Sequence, residues 1–288
     1  METWTVGKLL TWTTDFLRKK GSESPRLDAE VLLSHVLQCE RVRLYTAYDE
    51  AVGERDRSAY RELVKRRSEG APVAYLVGRK EFFSLPLKVT PAVLIPRPDT
   101  ETVVVEFLAR FPATAEVRAV DVGTGSGCIA IACTNRHGKA HFLAIDRSPE
   151  ALAVARENAD RHKLSDRIDF REGDLLDPAA DEGPFDAILS NPPYIPTDDI
   201  DGLEPGVRDH EPRLALDGGD DGLRIADRLI AQAVPLLKTG GHLILEIGTA
   251  QEGPVRDLIA GHPELELAPT IRDAANHPRV IRATRRDD

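Results

Sequence analysis

Four consecutive residues carry the chemistry this chain can offer most directly: Asn191, Pro192, Pro193 and Tyr194, within the stretch SNPPYIP at 190–196. Proline fixes φ, lacks a backbone N–H and pushes its predecessor away from helical geometry, so Asn191-Pro192-Pro193 forms a stiff extended corner. The corner follows PFDAILS, whose Phe185, Ala187 and Leu189 alternate as in a buried strand. An isolated Asn-Pro usually does no more than end a strand. Here the side-chain oxygen of Asn191 and the carbonyl of Pro192 can accept both N–H bonds of one planar nitrogen while Tyr194 stacks on its plane. The lone pair of an amide or aromatic amino nitrogen is delocalised and must be localised before it attacks. Fixed acceptors oppose the positive charge that then grows on nitrogen.

A second motif supplies the partner for such a nitrogen. In AVDVGTGSGCIAIA (119–132) a strand runs into Gly123, Thr124, Gly125, Ser126 and Gly127 and then into a helix. Glycines allow a tight turn and close approach of a ligand, and the helix N-terminus favours an anionic or polar group. The next strand ends in Asp146, near the ~20-residue spacing at which a carboxylate accepts ribose hydroxyls. The bland alternative for Asp146 is a helix N-cap before Pro149. The third strand ends in EGDLLDP, placing Asp174 and Leu175 on the same sheet edge, where Asp174 would hold an adenine amino group and Leu175 would flank the ring. Ordinary strand-exit roles are an equal reading for these two. A nicotinamide dehydrogenase normally shows GxGxxG; this loop is GxGxG with Asp121 before it, and hydride transfer has no use for the Asn-Pro-Pro-Tyr corner. Methyl transfer from S-adenosylmethionine, leaving S-adenosylhomocysteine, uses both motifs.

The elements that position these residues follow from periodicity. Residues 1–75 read as amphipathic helices: Val6, Leu9, Leu10, Thr13, Phe16 and Leu17 recur at helical spacing, as do Leu27, Val31, Leu32, Leu33, Val36 and Leu37 after SESP. A third helix carries Arg55, Arg57, Arg61, Lys65, Arg66 and Arg67, read as a solvated face or a patch for an anionic partner. These helices offer no catalytic spacing and look like a docking domain. Residues 76–98, broken by Gly78, Pro86, Pro91, Pro96 and Pro98, suit a β-hairpin linker. From 99 to 288, helices and strands alternate: Thr100–Ala109, Val117–Val122, Gly127–Thr134, Ala140–Ile145, Pro149–His162, Ile168–Arg171, Asp186–Leu189, Gly222–Leu237 and His242–Glu246. Helix Glu252–Ala260 and strands near Leu265–Leu267 and Arg279–Ala283 add an antiparallel edge. The expected fold is α/β, Rossmann-like and doubly wound on a mostly parallel sheet.

Composition narrows the partners. The chain of 288 residues is 41% hydrophobic and has a formal charge of −10, which argues against a duplex-binding surface. Cys39, Cys128 and Cys133 make no CxxC, and the eight histidines show no HxH or HExxH, so neither a disulfide nor a metal is expected. No apolar run reaches the ~20 residues of a membrane span, and the polar, helix-patterned start is unlike a signal peptide. These features point to a cytoplasmic monomer without membrane contact.

The motifs GTGSGCIA, NPPYIP, PLKVTPAVLIPRPDTE and ALDGGDDGL occur in an order that resembles the bacterial PrmC/HemK protein-(glutamine-N5) methyltransferases. Those enzymes modify the glutamine of the GGQ motif in peptide-chain release factors. The likeness spans essentially the whole chain. It implies a helical N-terminal domain, a hairpin linker and a class I S-adenosylmethionine-dependent methyltransferase domain. It also implies that Gly123–Gly127 and Asp146 bind the cofactor, that Asn191–Tyr194 hold the target amide, and that Arg97 and Thr100 lie close to the site. Leu175 stands where many relatives carry an aromatic, and Asp99 where the family usually has Glu. NPPY also belongs to adenine-N6 nucleic-acid methyltransferases, the competing reading, although no basic, aromatic-studded recognition domain is visible. A non-catalytic binding module would have no reason to keep both motifs.

Overall fold

Apolar periodicity in this chain produces separate hydrophobic cores, and the computed structural model, which describes residues 3–273 and 275–287, resolves them into two compact units. The outermost ends of the expected domains, Met1, Glu2 and Asp288, lie outside the described residues.

The smaller unit runs to Arg79 and includes residues 204–210. It contains α1 (Val6–Lys19), α2 (Pro25–Val36), α3 (Arg41–Thr46), α4 (Glu54–Ser68) and α5 (Val73–Val77). Thr5 caps α1 by accepting the Lys8 N–H, and Pro25 occupies the first turn of α2, where its missing N–H costs nothing. Leu10, Leu17, Leu32, Leu33, Leu44, Tyr60 and Val64 form the core. Leu27, expected on the apolar face of α2, is instead exposed. The helix turns Asp28 and Glu30 inward because cations meet them there: Arg67 reaches Asp28 at 2.8 Å, and Arg26 and Arg41 reach Glu30 at 2.7 and 2.9 Å. Arg67 therefore does not belong to the solvated face expected of the third basic helix.

The larger unit begins with a hairpin, β1 (Arg79–Phe82) and β2 (Leu85–Lys88). The chain divides at Arg79/Lys80, so all of the hairpin but its first residue falls in the larger unit, within the 76–98 stretch expected as a hairpin linker. There follow α6 (Glu101–Arg110), β3 (Val117–Val122), α7 (Cys128–Arg136), β4 (Ala140–Asp146), α8 (Pro149–Arg161), β5 (Ile168–Glu172), β6 (Phe185–Ser190) and the short β7 (Ile195–Pro196). After α9 (Pro205–Arg208), which lies in the smaller unit, come β8 (Asp217–Gly219), α10 (Arg224–Leu236), β9 (Leu237–Glu246) and α11 (Glu252–Ala260). The chain ends with β10 (Leu265–Leu267), β11 (Ile271–Arg272) and β12 (Pro278–Arg285).

The main sheet has the order β10-β12-β9-β6-β3-β4-β5, with β11 on β12. Strands β9, β6, β3, β4 and β5 are parallel; β12 and the strands on it are antiparallel. Successive residues enter opposite cores. Ala119, Phe142, Ala187 and Ile244 join α6 and α7 on one face, while Val120, Leu143, Ile188 and Leu243 join α10 and α11 on the other. A parallel sheet covered on both faces explains these nearly continuous apolar strands. The expected helix at 222–237 starts at Arg224, because Gly222 takes φ +75°, outside the helical region. Strand β9 starts at Leu237 rather than His242, pairing with Phe185 across an irregularity in register.

Candidate active site

Strand order reverses at β3. From it the chain proceeds to β4 and β5 on one side, then to β6 and β9 on the other. Open α/β sheets bind ligands beyond the carboxyl ends of the strands at such a switch point. Val122 and Ser190 are partners at the ends of β3 and β6, and Ser190 Oγ donates to the Val122 carbonyl at 2.7 Å. Both candidate motifs begin at the next residue, so the fold brings the glycine loop and the Asn-Pro-Pro-Tyr corner to one edge.

On the β3 side, Gly123, Gly125 and Gly127 have φ of +71°, +56° and +82°. The N–H groups of Gly123 and Thr124 both reach the Ile145 carbonyl, at 2.8 and 3.0 Å. A Cβ on Gly123 would meet nothing within 4 Å, so the loop has open room for a close ligand. At Gly127 a Cβ would lie 2.8 Å from Ile131 Cδ1 and 3.3 Å from Ala155 Cβ, so this glycine serves helix packing.

Asp146 ends β4 with both oxygens engaged: Oδ2 accepts the Gly125 N–H at 2.8 Å and Oδ1 the Ser148 N–H at 2.9 Å. The cap of α8 is Ser148, whose Oγ accepts the Ala151 N–H at 3.1 Å, so the N-cap alternative for Asp146 is not what the structure shows. Burial pushes the Asp146 carboxyl above its usual range against the pull of these N–H groups. Asp121 is fully buried beneath the loop residues it holds. Its Oδ2 accepts Thr124 Oγ1 at 2.7 Å and the Ala130 N–H at 3.1 Å, while Oδ1 has no partner among the described residues. Burial, with Asp146 adding in the same direction, pushes its carboxyl up to about 6.

Asp174 and Leu175 follow β5 as expected, but Asp174 is already engaged: Oδ2 receives Arg228 Nη2 from α10 at 2.7 Å. Leu175 adopts φ +51°, a left-handed conformation costing a branched residue about 1–3 kcal/mol. Gln232 holds the loop around it, accepting the Leu176 N–H at 2.9 Å and donating to Asp177 Oδ1 at 2.9 Å.

On the β6 side, Asn191 Nδ2 donates to Thr100 Oγ1 at 3.0 Å. No described residue donates to Asn191 Oδ1 or to the Pro192 carbonyl, so both acceptors are unclaimed. The corner is fixed from behind. The Ile195 N–H bonds the Leu216 carbonyl at 3.0 Å, and Gln251 Nε2 bonds the carbonyls of Tyr194 and Gly222 at 3.0 and 3.1 Å. Gly222 is glycine for sterics as well as φ: a Cβ there would sit 2.4 Å from the Tyr194 carbonyl oxygen. The ALDGGDDGL segment thus backs the NPPY corner. Arg97 pairs with the buried Glu211 at 2.7 Å, and Arg279 pairs with Asp99 at 3.1 Å. Burial raises the Tyr194 hydroxyl's pKa, and the Glu246 charge adds to that.

Sequence reasoning missed Glu246, Glu211, Gln251 and Arg279. A carboxyl and an amide at the ends of otherwise ordinary elements carry no spacing signal. Glu246 had a partial one, as the polar residue terminating an apolar parallel strand at the ligand-binding edge. The donor set suits a nucleoside cofactor carrying a cation: positive-φ glycines with free space, a carboxylate anchored to the loop, and a second carboxyl with an unpartnered oxygen.

Two family models match this chain: the PrmC N-terminal domain over residues 8–78 and the methyltransferase small domain over residues 99–201. A release factor glutamine methyltransferase from Rhodopirellula baltica is 46% identical over 285 residues, covering 96% of this chain and 95% of that one. Another of that name from Geobacter sulfurreducens is 45% identical over 250 residues, covering 87% and 86%. Among solved structures, a methyltransferase from Pyrococcus furiosus aligns with a TM-score of 0.53 at 17% identity, covering 80% of this chain and all of that one, a likeness of fold.

Proposed function

Since this chain belongs to the release factor glutamine methyltransferase family, we propose that it methylates the side-chain nitrogen, N5, of the GGQ glutamine in peptide-chain release factors, with S-adenosylmethionine as donor. The observation that carries the reading is the set of unclaimed acceptors on Asn191 and Pro192, beside a glycine loop shaped for a nucleoside. Bound there, the cofactor supplies an electrophilic methyl group and leaves as S-adenosylhomocysteine. Gly123–Gly127 approach its polar groups closely, and Asp146, Asp174 and Leu175 line its nucleoside. Asp121 Oδ1, unpartnered and buried, is a further acceptor beneath the loop.

Asn191 Oδ1 and the Pro192 carbonyl accept the two N–H bonds of the glutamine amide, turning its lone pair out of conjugation and aiming it at the methyl. As the N–C bond forms and the C–S bond breaks, these acceptors stabilise the positive charge on nitrogen, which returns to a neutral amide by losing a proton to solvent. Tyr194 and Pro193 wall the amide plane. Arg97, oriented by Glu211, and Thr100 complete the substrate side. The helical unit docks the body of the release factor. Because release factors act in translation, we place the reaction in the cytoplasm; no described helix is long and apolar enough to cross a membrane.

An adenine amino group presents a similar planar nitrogen, but the glutamine methyltransferase names of the relatives and the net charge of −10 favour a protein amide. The test is to incubate the full chain with labelled cofactor and an intact release factor, a short GGQ peptide, or adenine-containing DNA. One methyl group on the GGQ glutamine of the factor is expected by mass spectrometry, with weaker labelling of the peptide and none of DNA. Label in DNA instead would overturn the substrate, and equal rates on peptide and factor would overturn the docking role.

A further inference from the structure

Strands β6 and β9 are neighbours with Ser190 opposite Leu245, so both leave the sheet at the same edge. From β6 the chain goes directly into the Asn-Pro-Pro-Tyr corner. From β9 it passes Glu246 and Ile247 into the 3-10 turn Thr249–Gln251, which Gly248 caps. That turn is closed on itself twice. The Gln251 backbone N–H donates to the Gly248 carbonyl at 2.9 Å, and the Gly248 N–H donates to Gln251 Oε1 at 3.0 Å. The side-chain NH2 of Gln251 then donates to the carbonyls of Tyr194 at 3.0 Å and Gly222 at 3.1 Å. A primary amide offers two donors and one accepting oxygen. Rotating this one by half a turn would set Oε1 against two carbonyl oxygens and the NH2 against an N–H, so the three contacts admit one orientation.

The same turn meets Tyr194 a second time. A Cβ on Gly248 would lie 3.2 Å from Tyr194 Cδ2 and 3.0 Å from Gln251 Oε1, inside ordinary van der Waals contact. Gly248 has φ −64° and ψ 147°, extended backbone that any residue adopts, so conformational freedom does not explain a glycine here. The missing side chain does, because it lets the Tyr194 ring settle against the turn.

We propose that Gly248 and Gln251 form a seat for Tyr194 and are positioning residues for methyl transfer: the glycine admits the ring, the glutamine amide holds the carbonyl, and together they fix the wall on which the target amide lies. This rests on the reading above, in which Asn191–Tyr194 bind that amide. Pro192 and Pro193 separate Asn191 from Tyr194, and each proline has a fixed φ, so a shift at Tyr194 is passed to the Pro192 carbonyl instead of being absorbed between them. The side-chain bonds of Gln251 reach no residue of the glycine loop, so its influence falls on turnover rather than on cofactor binding.

Three variants of the full chain test this, each assayed with an intact release factor and labelled cofactor, well below its own thermal midpoint. Gln251→Leu, which fills the space but makes none of the bonds, should lower kcat about 10–100-fold, the cost of misplacing a group that orients the reacting nitrogen. Cofactor Kd, by calorimetry, and KM for the factor should stay near parental. Gly248→Ala needs no backbone strain and should lower kcat by a smaller factor with the same split. Gln251→Glu keeps an acceptor for the Gly248 N–H. When ionised it sets a carboxylate oxygen against two carbonyls, and when protonated it donates to one of them again. The ratio of its kcat to the parent's should therefore rise as pH falls, by about fivefold or more for one recovered hydrogen bond. Below the midpoint that rise reports the bond and not folding. If Gln251→Leu does not fold, the other two variants carry the test. Parental kcat in Gln251→Leu or Gly248→Ala, a ratio independent of pH in Gln251→Glu, or a loss confined to cofactor Kd would overturn the seat. If any of these occurs while Asn191→Ala is inactive, the amide site stands and only the seat fails. An active Asn191→Ala would remove both.

Discussion

The two sides of the switch point solve opposite electrostatic problems with different materials. Beyond β3 the site is built from backbone: three glycines at positive φ, with Asp146 holding the Gly125 N–H and Asp121 tying the Thr124 hydroxyl to the Ala130 N–H of α7. Beyond β6 it is built from side chains and proline carbonyls, with acceptors left open and every supporting bond made from behind by Thr100, Gln251 and the β8 region. A cofactor can be recognised by backbone shape, whereas an amide that must be activated needs acceptors whose direction is fixed. The first side should therefore answer to mutation in binding and the second in turnover.

The largest expected effect separates the two sides most sharply. Asn191→Ala removes one of the two open acceptors and should cut kcat by about 10²–10³, the usual loss when one preorganised contact to a developing charge is deleted. Cofactor affinity, measured by calorimetry, should stay near parental. A comparable fall in cofactor affinity would show that the corner belongs to the binding half after all.

Next comes Asp146→Ala. Its carboxylate already orients the loop through Gly125 and, with ribose bonds added, should contribute about 1.5–3 kcal/mol to cofactor binding. Saturating cofactor should recover most of kcat. A kcat that stays low at saturation would mean that the loop also positions the reacting groups.

These contrasts also explain what was legible in the sequence. Gly123–Gly127 and Asn191–Pro193 stand out because backbone geometry demands glycine or proline, residues that advertise their conformations. Strands β3 and β4 were readable to within a residue because burial on both faces makes them mostly apolar, whereas β9 begins at Leu237, five residues before the expected His242. Glu211 and Gln251 were not readable, since their partners, Arg97 for the one and Tyr194 and Gly222 for the other, lie far from them in the sequence. Leu27 misled for a related reason: ion pairs from other helices, Arg67 to Asp28 and Arg41 to Glu30, drew those two residues into the place that periodicity assigned to apolar residues. Asp174 was located on the correct edge, but the Arg228 that engages it comes from α10, more than fifty residues later.

A smaller effect tests whether the corner is truly held from behind. Gly222→Ala forces a side chain into a position 2.4 Å from the Tyr194 carbonyl at φ +75°, so the backbone must move. Overpacking of this kind costs about 1–3 kcal/mol in stability, read from denaturant midpoints. Turnover should fall beyond what that loss predicts, because the displaced residue is part of the acceptor corner, while cofactor Kd holds. A stability loss with unchanged kcat would mean that the NPPY corner tolerates displacement.

The smallest effect lies where the two sides come closest to sharing a residue. Asp174 is expected to receive the adenine amino group, yet its Oδ2 is paired with Arg228, and both side chains are about two-fifths exposed. A solvent-screened pair of this kind contributes about 0.2–1 kcal/mol. Arg228→Ala should therefore leave the thermal midpoint almost unchanged and release Asp174 from a competing partner. Cofactor binding should tighten, by at most about fivefold, the equivalent of that pair energy, and the gain should shrink as salt is raised, because salt weakens the parent's competing pair. Weaker binding in Arg228→Ala would reverse the interpretation: the ion pair would then be preorganising the Asp174–Leu175 loop against the strain at Leu175, and α10 would join the cofactor side of the site.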